Sequence, residues 1–481
     1  METKYNERTK TIRQYVFVNK HILPPVMKFV NTKAIQALQN GMIYTLPFIL
    51  IGSIFLILGN IPIPAVANAI NASGWGAFFN QAYTTTFSIM AMWAAVGIAY
   101  IYVKNEGYEP LAPGLTSLAA FLMLQTLTID SPLKNAMAKG IDGGMSAKAV
   151  TENIDKLPHA LQTFLESPVT GVFNITWLGG DGMIAAIIVG LLVGWIYSAI
   201  MKKGWTIKLP EQVPAAVSNQ FTAMIPSGII LIGTMLIYAG FKLTTGSDFL
   251  QWTYQTLQIP LQGISDSLGG AIAIGFLVPF FWFFGVHGGL IVGSLAGPML
   301  QANSFDNAQL YKAGKLTIAN GAHVVTNEFY NNFINLTGSG ITIGLIIFIL
   351  IAAKSAQLRS IGKVELVPGI FNINEPFLFG LPIVMNPFLA IPFFLTPVVV
   401  AISTYFVIRT GIVPPLNGFA CPWTMPAVIS GFLIGGWKMA IWQACTLVIS
   451  TLIYWPFARK YDKILVQREA ATLKKDEAEG K

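Results

Sequence analysis

The chain has 481 residues, of which 54% are hydrophobic and 11% charged, with a formal net charge of +8. A soluble domain of this length carries about 25% charge, so a water-soluble globular fold is excluded. The basic excess gathers towards the two ends and is no nucleic-acid signal, and the apolar runs lack the alternation of barrel strands.

What remains is an all-α polytopic membrane protein. Residues 1–41 form a basic leader, with Lys4, Arg8, Lys10, Arg13, Lys20, Lys28 and Lys33 against Glu2 and Glu7. It has no apolar core of a cleavable signal. Thr32 to Met42 fits an amphipathic surface helix. Basic flanks mark the cytoplasmic side, so both termini are expected in the cytoplasm, with an even number of crossings.

Residues 42–245 read as a first transmembrane domain. Spans are expected over Thr45–Gly59, Phe87–Val103, Leu111–Leu127, Met183–Met201 and Met224–Phe241. The uncharged residues 61–85 suit an outside loop, and the polar insert from Asp130 to Glu166 is expected outside by alternation. Residues 242–268 read as a connector, and 246–457 as a second transmembrane domain of different texture. Its apolar segments are short and broken by Gly and Pro, the sequence pointer to a transporter's substrate site. They predict re-entrant hairpins near 325–340 and 370–382, and about ten full spans in all. Residues 458–481 are a cytoplasmic tail. No sizeable soluble domain is fused, so an energy-coupling domain is expected as a separate polypeptide. Cys421 and Cys445 lie in apolar stretches without metal-ligand spacing; neither metal nor cofactor is expected.

Two isolated titratable groups carry the functional reading. From Leu366 to Ile408 the one charged residue is Glu375, followed by Pro376, which disfavours helical geometry before it. A carboxylate at membrane depth costs about 3 kcal/mol or more unless paired, solvated or protonated. It either pins a broken helix or takes a proton from a substrate hydroxyl. His287 stands alone between Asp266 and Asp306 in Gly285-Val286-His287-Gly288-Gly289. It is a buried carbonyl-bonded histidine or a donor and acceptor in a site.

Asn372 and Asn374 offer further amide groups, or tie down unwound backbone. Trp282 and Trp423 are candidates for stacking on sugar rings, although Trp also populates membrane interfaces. Gly338 and Ser339 present backbone amides or form a tight turn. Asp181, beside glycines at a span's edge, is a lesser candidate for substrate contact. His323 and Glu328 read as loop polarity.

Three motifs resemble those of the membrane-embedded EIIC permeases of the bacterial sugar phosphotransferase system, closest to the lactose/cellobiose/diacetylchitobiose branch. They are Phe371-Asn372-Ile373-Asn374-Glu375-Pro376 with Gly380-Leu381-Pro382, Phe281-Trp282-Phe283-Phe284-Gly285-Val286-His287-Gly288, and Trp423-Thr424-Met425-Pro426 with Gly431-Phe432-Leu433. The resemblance implies a plasma-membrane homodimer joined through its N-terminal helices. It implies a C-terminal half that carries a β-linked disaccharide by alternating access, with the sugar's 6-hydroxyl near His287 and Glu375. It also implies a separate EIIB protein, phosphorylated on cysteine by an upstream EIIA, that docks from the cytoplasm and phosphorylates that hydroxyl. The chain itself is then the membrane component of a phosphotransferase complex. Some lactose permeases of this branch carry a fused EIIB; its absence here favours the cellobiose/chitobiose type. The competing readings are a proton-coupled secondary sugar transporter, with Glu375 and His287 relaying protons, and a channel or scaffold without coupled turnover.

Overall fold

The computed structural model describes residues 24–25, 28, 31–61, 64–129, 131, 158–210, 212–381, 383 and 386–478; the side chains of 64, 162, 164–166, 375, 376, 379, 387 and 473–478 lie outside that description. The described chain is mostly helical. Its one sheet is a pair of two-residue strands, β1 (Thr128–Ile129) and β2 (Val169–Thr170), antiparallel with Thr128 opposite Thr170. This small ribbon departs from the all-α expectation. It closes the ends of the polar insert, whose interior and the Asp130 to Lys156 charges expected there lie outside the described residues.

Among the described residues six helical stretches are long and apolar enough to cross a membrane: Lys33–Gly59, Trp75–Asn105, Gly180–Lys202, Ala215–Thr245, Phe388–Arg409 and Ile429–Thr472. A seventh arises if Phe249–Ser265 and Leu268–Phe283, bent by 68°, form one span. Leu111–Met123 and Ile343–Ala352 are apolar but shorter. The expected count of ten therefore rests on broken and short segments.

The first half is built from α1 (Lys33–Ile43), α2 (Leu46–Gly59), α3 (Trp75–Thr84), α4 (Met90–Asn105), α5 (Leu111–Met123), α6 (Met183–Lys202) and α7 (Ala215–Thr245). Residues 61–85, expected as a loop, hold α3 and the short helix Pro64–Ala72. Uncharged Ala- and Asn-rich sequence satisfies its backbone by helix as readily as by turns. Residues 242–268 are likewise helical over most of their length: α7 runs on to Thr245, and helical turns follow from Phe249 to Ser265.

One buried cluster joins α1, α2, α4 and α6 with residues as far along as Phe305, Ala308 and Ala420. α1 and α4 cross in close contact within it. A Cβ on Gly41 would come within 2.6 Å of the Ile98 Cα, and one on Gly97 within 2.5 Å of the Gly41 carbonyl oxygen. Small residues of this kind let helix backbones touch in a membrane, where packing replaces the hydrophobic effect. α7 contributes little to this core; Met224, Ile229, Ile232, Leu236 and Leu243 stand exposed along it.

The second half comprises α8 (Leu268–Phe283), α9 (Gly288–Lys312), α10 (Ile343–Ala352), α11 (Ala356–Ile370), α12 (Glu375–Gly380), α13 (Pro387–Arg409) and α14 (Ile429–Ala478). Its own cluster runs from Ala271 to Leu465. α14 is interrupted at Gly435 and Gly436, where Gly436 has φ 72°.

At one end of the first half Glu106 follows the last turn of α4. Its carboxylate meets the ammonium groups of Lys33 at 2.7 Å and Lys202 at 2.8 Å, and its side chain is only 7% exposed. Lys202 above all, with Lys33, holds the Glu106 carboxyl below its usual range. A carboxyl whose folded pKa is depressed contributes stability above its unfolded pKa and loses it as pH falls through the folded value. Wild-type protein in detergent should melt at a lower temperature as pH is taken from 7 down through the carboxylate range. Glu106→Gln should melt below wild type at pH 7, and the gap should close on acidification. A constant gap across pH would show that the lysine pairing does not contribute.

Candidate functional site

Breaks in the helical backbone of the second half converge on one place. The chain leaves α8 at Phe283, turns through Gly285 and restarts as α9 with His287 as its N-cap. The His287 Nδ1 accepts the Leu290 N–H at 3.1 Å. An imidazole whose Nδ1 accepts carries its neutral-state proton on Nε2, so the cap fixes which nitrogen donates. Trp282 lies against the ring, with centroids 4.4 Å apart and planes tilted by 46°.

The polar stretch from Asn327 forms a short helical segment whose Tyr330–Ile334 turn is a π-helix, followed by an irregular stretch to Thr342. Here Thr337 and Ile341 have φ of 55° and 51°, and Gly338 and Gly340 have 87° and 83°. Left-handed backbone at a non-glycine costs about 1–3 kcal/mol and persists only where surroundings over-determine it. Here they do. The Tyr454 hydroxyl donates to the Gly340 carbonyl at 2.9 Å, and the Ser450 hydroxyl donates to that of Ile341 at 2.6 Å. Ser450 Oγ also accepts the Gly344 N–H at 3.1 Å.

Asn372, with φ 64°, is the main tie. Its Oδ1 accepts the Thr337 N–H at 2.6 Å, and its Nδ2 donates to the carbonyls of Trp423 at 2.6 Å and Met425 at 2.9 Å. Asn374 donates from Nδ2 to the Ser339 carbonyl at 2.8 Å and the Thr342 hydroxyl at 2.9 Å. Of the two uses open to these asparagines, holding unwound backbone is thus realised. A Cβ on Gly338 would lie 2.2 Å from the Asn374 Cγ, so this position takes no side chain.

Between these segments lies a cavity of about 360 Å³. Trp282, His287, Gly338, Ser339, Asn372, Asn374 and Trp423, all marked out in the sequence, line it. The Glu375 side chain lies outside the described residues; its backbone opens α12 two positions after the Asn372–Ile373 turn. Tyr330, Asn331 and Asn335 also line the cavity and were not singled out. Their signal was the polar run Asn327 to Gly340, read only as a hairpin. Three other residues stand elsewhere. Asp181 and His323 line a separate cavity, and Glu328, far from being loop polarity, is buried with its carboxylate accepting from the Ser304 hydroxyl at 2.8 Å. Among the described residues no group of three or more metal-ligating side chains converges.

Helices too apolar for water, broken around a pocket of indole, imidazole and amide groups, define a multi-pass membrane protein whose pocket suits a polyhydroxylated ligand. The sequence profile described as "Phosphotransferase system, EIIC" matches residues 39–397. The chain is 33% identical to the lichenan permease IIC component of Bacillus subtilis (strain 168), over 96% of this chain and 98% of that one. It is 34% identical to the cellobiose-specific EIIC component of Geobacillus stearothermophilus, over 94% of each. It also resembles the crystal structure of the transporter ChbC, the IIC component from the N,N'-diacetylchitobiose-specific phosphotransferase system, with a TM-score of 0.83 and 32% identity. That match covers 94% of this chain and 99% of the other. The chain belongs to the EIIC family: it is a sugar permease component of the phosphotransferase system, which works with an EIIB partner.

Asn372→Gly keeps the left-handed backbone but removes all three side-chain bonds. Each buried group left without a partner costs about 1–3 kcal/mol. The variant should show a clearly lowered melting temperature in detergent, and Asn372→Leu, which adds backbone strain, a lower one still. A melt matching wild type for Asn372→Gly would show that these bonds do not hold the breaks together.

Proposed function

We propose that the chain carries a β-linked disaccharide of the cellobiose/chitobiose type across the plasma membrane and presents its 6-hydroxyl to phospho-EIIB. The observation that carries this reading is the cavity at the start of α9, where Trp282, His287, the two asparagines and Trp423 meet. Sugar rings stack their apolar faces on indole, and their hydroxyls need donors and acceptors at short range. The names of the similar proteins, specific for lichenan, cellobiose and diacetylchitobiose, support a β-linked substrate.

In this reading both termini face the cytoplasm, with ten crossings and two re-entrant hairpins near 325–340 and 370–382. Residues 42–245 form the dimer scaffold, with the exposed apolar face of α7 available for that contact, and 246–457 move against it in alternating access. His287, with its proton held on Nε2 by the Leu290 amide, donates to the 6-oxygen. Glu375 then takes the hydroxyl proton as that oxygen attacks phosphorus. The new O–P bond forms as the S–P bond of the EIIB phosphocysteine breaks, and the thiolate leaves. Such transfers depend mainly on positioning and charge stabilisation. The phosphorylated sugar is charged and stays inside.

Glu375→Gln should bind cellobiose or diacetylchitobiose in detergent, remain dimeric, and lose phosphorylation-coupled uptake by two orders of magnitude or more, in the range of about 10²–10⁴ for a lost general base. Uptake within a few fold of wild type would refute the role. Trp423→Ala should weaken disaccharide binding roughly two- to tenfold, the equivalent of one aromatic contact worth about 0.5–1.5 kcal/mol, as measured by calorimetry.

A further inference from the structure

A second cavity, of about 580 Å³, is larger than the first. α9 has 25 residues and is roughly 37 Å long. His287 caps its start in the first cavity, while Asp306, Gln309 and Lys312 near its end line the second. The opposite wall comes from the first half, through Thr84, Ser88, Thr176 and Asp181. Ser88 and Asp181 directly precede α4 and α6, whose far ends carry the Glu106–Lys202 pair. The second cavity is therefore at the opposite end of the helices from that pair, which the proposed orientation makes the outer face.

Its polar groups are held in place by bonds behind them. Asp306 Oδ2 accepts from the Gln262 amide at 3.0 Å and meets His323 Nε2 at 3.2 Å. His323 Nδ1 meets Asp266 Oδ2 at 3.0 Å, and the other Asp266 oxygen accepts the amides of Val324 and Val325 at 2.7 and 2.6 Å. Burial opposes charging of His323, but the carboxylates of Asp266 and Asp306 outweigh it and raise its pKa to about 9. Both ring nitrogens then donate, so Asp306 is fixed in orientation and half-neutralised. Asp181, from the first half, lines the same cavity. Lys312 lies 5.5 Å from the centre of the Tyr83 ring.

Charge in this cavity is close to balance. Among the lining residues Asp181 and Asp306 oppose His323 and Lys312, while Asp266 sits behind His323. A near-neutral wall of fixed donors and acceptors does not select an ion. It suits an uncharged ligand with many hydroxyls. Tyr254, braced edge-on by Trp177 with centroids 5.6 Å apart, adds an aromatic surface. Ligand sites of this kind occupy about 300–1,000 Å³.

We propose that this cavity is a second sugar site, where a neutral β-linked oligosaccharide is first held at the outer face before the pocket around His287 receives it. The proposal rests on the sugar reading above. Calorimetric titration of the full-length protein in detergent with cellobiose and with diacetylchitobiose should give two sites per chain. Thr84→Trp, which fills the outer cavity, and Gln309→Ala, which removes a lining amide without overpacking, should lose or weaken one site about tenfold or more and leave the other intact. His287→Ala should do the reverse. In cells Thr84→Trp should raise the KM for uptake with little change in the maximal rate. A single site in wild type, lost in His287→Ala and untouched in both cavity variants, overturns the second site and leaves the permease reading standing. No binding of either sugar at any site overturns both.

Discussion

Unwound backbone in an apolar protein interior has to find hydrogen-bond partners that water would otherwise supply. That constraint organises the second half of this permease. The irregular stretch from Asn335 to Thr342 exposes carbonyls and amides where α10, α13 and α14 surround it with apolar side chains. α14 answers with one face: Gln443, Ser450 and Tyr454, spaced by seven and four residues. Gln443 Oε1 accepts from the amides of Val428 and Gly431 at 2.6 and 2.8 Å, and its Nε2 donates to the Asn332 carbonyl at 2.9 Å. One buried side chain thus fastens the stretch after Trp423 to the short helical segment that carries Asn331 and leads to Asn335. Asn372 closes the same loop from the other side. The pocket is stiff because the groups that would otherwise be orphaned are the groups that define its walls.

α9 couples the two halves. Its Phe305 packs so closely on Gly179 and Gly180 that a Cβ on either would come within 2.2 to 2.6 Å of the ring, and it stacks on Phe87 with centroids 6.1 Å apart. On its other side Asn307 donates to the carbonyls of His323 and Leu416 at 2.8 and 2.9 Å. The same helix also bonds to the first half: the Tyr311 hydroxyl donates to the Asn60 carbonyl at 2.5 Å and the Gln309 amide to the Tyr83 hydroxyl at 3.4 Å. α9 is therefore tied to both halves by specific hydrogen bonds as well as by ring packing.

Much of this was legible in the sequence, for physical reasons that also mark where legibility ended. The long apolar spans could be read because a bilayer demands runs of about 20 apolar residues. His287, Trp282 and Trp423 could be read because titratable and aromatic groups beside Gly and Pro in apolar surroundings are costly to place without a purpose. Gln443 and Ser450 could not, since polar residues inside a helix look alike whether they face lipid, water or an orphaned carbonyl. The Asp266–His323–Asp306 chain joins residues 57 and 17 positions apart, a contact no local pattern encodes. Residues 61–85 lacked charge, and absence of charge does not separate a loop from a short helix.

The link from the C-terminal stretch of α14 to the pocket is one helix, α11. Its first turn is held by the tail half of α14. Asp462 accepts the amides of Lys354 and Ser355 at 3.0 and 2.9 Å, while Glu469 accepts from the Ser355 hydroxyl at 2.6 Å and the Gln357 amide at 3.1 Å. Carboxylates at a helix N-terminus meet both its free amides and its positive dipole end. The Ser355 hydroxyl and the Gln357 amide accordingly hold the Glu469 carboxyl below its usual range. After 15 residues α11 ends beside Asn372, whose bonds reach Thr337, Trp423 and Met425. A displacement of the tail helix therefore has a short route, in which one helical hydrogen bond is lost at Pro368, to three segments that line the first cavity or adjoin it. An exposed loop in its place would absorb the same displacement without passing it on.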